Sequence, residues 1–218
     1  MQRTCFVVPG RLPPEPIALR LDDNAAEALG QLLPLLGCGE EAAALAFDGL
    51  SGKIPAHADL FASIASDERV HDALLQGVLT ALPASTFPSS LTGRIRRMHL
   101  SLGAGGDNVH CVRIAALDSA VCTILTQLLC IDGPIFREPR LATLFARIRD
   151  DEARHVAVTR RIALASPISP VMRDAAAATR LALADILTGA GAAFDALNID
   201  PDRLLGKIAR LPTGLLRA

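Results

Sequence analysis

Ile148-Arg149-Asp150-Asp151-Glu152-Ala153-Arg154-His155-Val156 is the stretch on which the reading of this chain turns. Glu152 and His155 stand three residues apart, so on an α-helix they share a face and present a carboxylate and an imidazole to one place. Leu141, Phe145, Ile148, Val156 and Ile162 fall on the same face at helical spacing, an apolar stripe that must point inward. A carboxylate in such a stripe requires a partner or a metal, because burying it alone costs several kcal/mol.

Upstream, Glu68-Arg69-Val70-His71 repeats the arrangement within a second predicted helix, about 56 to 82, on the stripe of Phe61, Ile64, Leu75 and Val78. Two more helices are predicted. One runs from about 24 to 50, capped by Asp22-Asp23-Asn24 and bent or broken near Pro34, Gly37 and Gly39; the other runs from about 108 to 131 and ends at Asp132-Gly133-Pro134. Ser51-Gly52-Lys53-Ile54-Pro55 reads as a turn, and the Gly-, Ser- and Pro-containing stretch 83–107 as a long crossover. The helix carrying Glu152 spans about 139 to 165. After Pro167 and Pro170 a further helix reaches about 189, and a short one covers 201 to 210. The expected organisation is an irregular lead-in over 1–21, an antiparallel four-helix bundle over 22–165 and a helical extension over 166–218 that packs beside the bundle or covers a site.

Composition agrees with an all-α class: half of the 218 residues are hydrophobic, Ala and Leu dominate, and β-branched residues form no alternating runs. A net charge of −1 gives no reason to expect nucleic acid or a polyanionic substrate. Charges interrupt the apolar runs before the ~20 residues that a membrane span needs. Cys5-Phe6-Val7-Val8 is too short for a signal-peptide core, so a cytoplasmic protein is expected. The five cysteines contain no C-x-x-C pair, which argues against a disulfide framework, a zinc ribbon or a rubredoxin-like appendage and for free, buried thiols.

Carboxylate-rich two-metal bundles take one acid from each of two helices and Glu-x-x-His from each of the other two. Between Asn108 and Ile131 the only carboxylate is Asp118. On the first helix the choice lies between Glu40 and Glu41, which point about 100° apart. Heights agree: Glu40 stands 12 residues before Gly52 and Glu68 13 after Pro55, while Asp118 stands 15 before Gly133 and Glu152 14 after Glu138. One residue of mismatch is about 1.5 Å. His57, His99 and His110 have no partner at ligand spacing and read as structural; Arg69 and Arg154 read as outward salt-bridge partners, and Arg94, Arg96 and Arg97 as a solvated cluster.

Gly39-Glu40-Glu41-Ala42-Ala43-Ala44-Leu45-Ala46-Phe47 resembles the first-helix motif of ferritin-like proteins, in which a small residue and an aromatic follow the ligand Glu three and seven residues later. Asp150-Asp151-Glu152-Ala153-Arg154-His155 resembles the fourth-helix motif of rubrerythrins, ubiquinone-biosynthesis hydroxylases and aryl-amine oxygenases. The resemblance covers about 24 to 165. It implies metal ligands Glu40, Glu68, His71, Asp118, Glu152 and His155; Glu41 reads as a residue that either supports the ligands or faces solvent. Hard donors of this kind suit two Fe ions, or Mn with Fe. The implied activity is oxidation or oxygenation of a small organic molecule with O2 or peroxide and an electron donor, in a homodimer. Alternatives are a ferroxidase, a peroxide-reducing rubrerythrin-like protein, or a non-catalytic metal-binding helical module. Three departures are visible: Asp118 stands where a Glu is usual, Ile148 where aryl-amine oxygenases add a third His, and the absence of Tyr excludes a tyrosyl-radical role.

Overall fold

A computed structural model describes residues 5–83 and 89–217. Among them there are no strands; eight α-helices follow in order, α1 (Asp23–Lys53), α2 (Ala58–Ala81), α3 (Ser89–Ser101), α4 (Asp107–Leu128), α5 (Pro139–Leu164), α6 (Pro170–Leu187), α7 (Gly191–Ala196) and α8 (Pro201–Ala209), with 3-10 turns at Pro55–His57 and Thr188–Ala190. Asp22 caps α1 by accepting from the Ala25 amide, Glu138 caps α5 through Arg140 N, and Ser169 caps α6 through Met172 N. Pro139 and Pro170 occupy first-turn positions, where a missing N–H costs nothing.

Cross-contacts fix the directions. Ser51 donates to the Ala58 carbonyl, Asp48 pairs with Arg69 and Glu40 with His71, so α1 and α2 form an antiparallel hairpin. Cys122 Sγ lies 3.8 Å from the Arg149 carbonyl and Asn108 reaches Ser166, which makes α4 and α5 a second one. Arg154 on Asp67 and His71 on Asp151 bring α2 against α5, again antiparallel. α6 packs on α4, α8 on α6 and α4, and α3 and α7 on α1.

The apolar interior is split in two. One cluster gathers Leu29, Leu33, Leu75, Leu125, Leu141, Phe145 and the inner faces of α6 to α8; the other gathers Phe47, Phe61, Ile64, Val112, Ile162 and Met172. Glu40, Glu68, His71, Glu152 and His155 fall in sequence between these two groups on α1, α2 and α5, Asp118 lies next to the Ala116–Leu117 junction of the groups on α4, and all six are buried. The acids and imidazoles therefore form a waist.

Several expectations are corrected. α1 runs unbroken through Pro34, because packing on α2 and α3 holds a helix that local propensity would break. The crossover is not a loop throughout: residues 84–88 lie outside the described residues, but α3 follows, with Leu91, Ile95, Met98 and Leu102 buried at helical spacing. Cys5 and Cys38 are joined in a disulfide, Cα–Cα 5.3 Å, and only Cys111, Cys122 and Cys130 are free. By length and composition one helix, α4, could cross a membrane, against the expectation of none; 61% of its most apolar window is buried in this fold.

Residues 1–4 of the lead-in and residue 218 of the extension lie outside the described residues. Residues 5–21 have no regular structure, as expected, yet they are tightly held. The Arg69 guanidinium donates to the Pro9 carbonyl, Glu138 accepts from Arg20 N, and Arg140 donates to the Ala18 carbonyl. Gly77 makes room for this segment: a Cβ there would stand 2.3 Å from the Glu15 carbonyl oxygen.

Candidate metal centre

The two Glu-x-x-His pairs converge. One donor atom from each of Glu40, Glu68, His71 and Glu152 lies within 4.8 Å of the others, a spacing that one metal ion can span. His71 Nδ1 is 3.2 Å from Glu40 Oε2, 3.5 Å from Glu68 Oε2 and 3.5 Å from Glu152 Oε1. His155 Nδ1 is 3.0 Å from Glu68 Oε1 and 3.8 Å from Glu152 Oε1. Glu68 thus faces one imidazole with each of its oxygens, and Glu152 stands between the same two rings, whose centroids are 5.9 Å apart. Phe47 packs edge-on to His155 at 6.2 Å and closes that side.

Asp118 is buried with the others, and its Oδ2 has no hydrogen-bond partner. It lies outside the tight four-residue group but faces the same space as Glu40, Glu68 and Glu152. Glu41, the other candidate on α1, points elsewhere. Its Oε2 accepts from the Cys5 and Phe6 amides, each at 2.7 Å, and Arg11 binds both Glu41 and Asp72.

Electrostatics separate the groups. Burial first, then the charge of Glu68, lifts Glu40 to about 8. Burial, together with the neighbouring carboxylates, likewise raises Glu152 and raises Asp118 well above the usual range. Burial alone would make His71 and His155 more acidic, but the acids around them prevail and both are raised. The ledger is four buried acids against two imidazoles, with no Lys or Arg in the group. Both Glu68 oxygens and both ring nitrogens of His155 also lack a correctly oriented hydrogen bond. In a settled core such atoms are satisfied. Orphaned oxygens with excess negative charge and imidazole nitrogens turned inward fit a cation, and the oxygen-rich donor set suits Fe or Mn better than structural zinc.

Sequence reading overlooked Asp67 and Asp151. His71 Nε2 donates to Asp151 at 3.2 Å, and His155 Nε2 lies 3.5 Å from Asp67. His71 is backed by the acid of the opposite helix, an arrangement that fixes the tautomer leaving its Nδ1 free to bind a metal, whereas His155 Nε2 faces Asp67 without a hydrogen bond. Arg154 bridges both aspartates, at 2.9 and 3.0 Å. The signal was present, since both motifs read Asp-Glu-x-x-His. Arg69 and Arg154 do point outward, as read from the sequence.

A narrow cavity of about 70 Å³ opens onto Glu40, Glu68, Asp118 and Glu152 from the side away from the histidines. The remainder of its wall is apolar apart from one imidazole, His99; Leu183 and Leu187 of α6 close it. The extension after residue 165 therefore supplies part of this wall. Compared with known protein families, curated proteins and solved structures, the chain matches none of them.

Proposed function

We propose that this chain is a ferritin-like four-helix bundle, α1, α2, α4 and α5, holding a carboxylate-bridged pair of metal ions, most naturally iron, and that it is an oxidoreductase acting on a small organic molecule. The observation that carries the reading is the pair of Asp-Glu-x-x-His motifs converging on Glu40 and Glu68 with Glu68's oxygens unsatisfied. Two positions are favoured over one because Glu68 presents an oxygen to each histidine and Glu152 lies between them. Glu40 and His71 would serve one position and Asp118 and His155 the other, with Glu68 and Glu152 shared. A bound iron pair would supply the electrons and open positions that O2 or peroxide activation requires.

The chain's own residues do the rest. Asp151 holds the His71 imidazole in orientation, Phe47 excludes water beside His155, and the cavity offers an organic molecule an apolar approach to the carboxylates. That cavity favours an organic substrate over Fe(II) itself, which would need a polar route. An external electron donor belongs to the same proposal, whereas the Cys5–Cys38 disulfide counts against the reducing cytoplasm expected from the sequence.

The test is metal content after expression with added iron. About two Fe per chain are expected, with loss of both when His71→Ala and His155→Ala are combined. A double variant that keeps its iron, or a wild-type chain that takes none, would sink the proposal. O2 consumption over many turnovers only with both a reductant and an organic molecule would then separate oxygenase from ferroxidase.

A further inference from the structure

The lead-in is gripped hardest at one point. Cys38 and Glu41 stand three residues apart on α1 and therefore share a face, and both take hold of Cys5: Cys38 through the disulfide, Glu41 by accepting from the Cys5 amide at 2.7 Å. From there residues 5–11 cross the groove between α1 and α2 as a strap. The Phe6 amide donates to the same Glu41 oxygen, and the Phe6 ring lies 5.4 Å from the Arg96 guanidinium of α3. Arg69 donates to the Pro9 carbonyl, and Arg11 ends the crossing between Glu41 and Asp72. Beneath the strap Glu41, Asp72 and Gln76 are all sealed from water.

The disulfide is the one contact of this strap that water cannot replace. Val8 is its only fully buried apolar side chain; Val7 is 91% exposed, and Pro9 and Gly10 are exposed too. While the bond is closed Cys5 cannot leave Glu41. Once it is open, the grip rests on hydrogen bonds and one guanidinium, for which water competes. The bond bridges no two bundle helices, and neither apolar cluster draws a fully buried member from residues 5–11, so its loss leaves the helical core intact.

We propose that Cys5–Cys38 is a redox latch: reduction by a dithiol frees residues 5–11 to lift and bares an acidic groove, Glu41 and Asp72 with Gln76, between α1 and α2. Cys5 is half-buried and Cys38 sealed, so the attacking thiolate meets the Cys5 sulfur. A mixed disulfide forms there, the Cys5–Cys38 bond breaks, and the Cys38 sulfur leaves and takes up a proton. The second thiol of the dithiol then displaces Cys5, which is protonated in turn. Two electrons pass to the cysteine pair, and the dithiol ends as a cyclic disulfide. The latch is independent of the metal reading given under Proposed function.

Hydrogen exchange in the metal-free full chain, followed at single amides by NMR, is compared before and after dithiothreitol. The Cys5 and Phe6 amides are expected to exchange at least about tenfold faster in reduced protein, while amides in the middle of α4 and α5 change less than about twofold. Trypsin should cut after Arg11 about tenfold faster once the bond is open, and oxidised dithiothreitol should restore both properties. A chain carrying Cys5→Ser and Cys38→Ser should match the reduced protein with and without dithiothreitol, and Cys130→Ser should respond as the wild type does. The inference is overturned by unchanged exchange at Cys5 and Phe6 on reduction, or by a dithiothreitol response in the chain lacking both cysteines. It is overturned as well by α4 and α5 amides accelerating in step with Cys5 and Phe6, which would make the bond a staple of the whole fold. No metal enters these measurements, so their outcome and the iron count described above stand or fall separately.

Discussion

Glu40 and Glu41 are neighbours on one helix, both buried, and the protein treats them in opposite ways. Glu41 turns to a closed polar knot in which two backbone amides and the Arg11 guanidinium serve its oxygens, and Arg11 also takes Asp72. Burial still raises Glu41, but the Phe6 amide and Arg11 pull it back. Glu40 turns to Glu68, Glu152, Asp118 and the His71 imidazole, where no Lys or Arg balances the acids. His71 and Asp72 divide α2 in the same manner. One pair of buried acids has a guanidinium and two amides to serve it, while the group one residue away has no fixed cation and could hold one from outside.

The contrast can be broken from either side. Arg11→Met should have the largest effect, about 3 kcal/mol of lost stability in denaturant unfolding, because it strands Glu41 and Asp72 without their partner. An unchanged midpoint would mean that the knot is not closed. Neutralising the two glutamates separately should give opposite signs in metal-free protein at pH 9: Glu41→Gln costs about 2 kcal/mol through its charged hydrogen bonds, whereas Glu40→Gln stabilises by at least about 1 kcal/mol. The sign for Glu40 follows from linkage. Its folded value, about 8, lies above the ordinary 4.5, so its contribution is complete below 4.5 and is lost as pH rises toward about 8. Metal-free protein should therefore soften between those pH values, and Glu40→Gln should flatten the curve of midpoint against pH.

If the proposed site binds iron, Asp151→Asn should weaken that binding about tenfold without unfolding the chain, since it loosens His71 rather than removing a ligand; competition against a chelator reads this directly. The smallest effect is a count. Unfolded, unreduced protein should show three reactive thiols and reduced protein five. In the native fold only the exposed Cys130 should react quickly, because burial pushes Cys111 to about 11 and Cys122 to about 12.

Much of this was legible in the residues. The stripes that placed α1, α2, α4 and α5 did so within three residues at each end, and level heights on the hairpins singled out acids that meet in space. α3 was missed although Leu91, Ile95, Met98 and Leu102 carry a helical period, because the serines, prolines and glycines around them read as loop. The Cys5–Cys38 pair was missed for a deeper reason: 33 residues separate them, and no local pattern reports which distant cysteine a folded lead-in will reach. Arg11 belongs to the same class, since nothing around it in sequence says that it will meet Glu41 and Asp72. Local period shows which face turns inward; long-range closure of the chain decides what meets there.

The two greasy clusters lie on either side of the acid layer, and α1, α2, α4 and α5 each cross it without a break. While like charges face one another at that level, the waist of the molecule is held less firmly than the apolar stretches beside it. A cation seated there, as proposed, would turn repulsion into a clasp, so protein left short of metal would carry its weakest packing at mid-height.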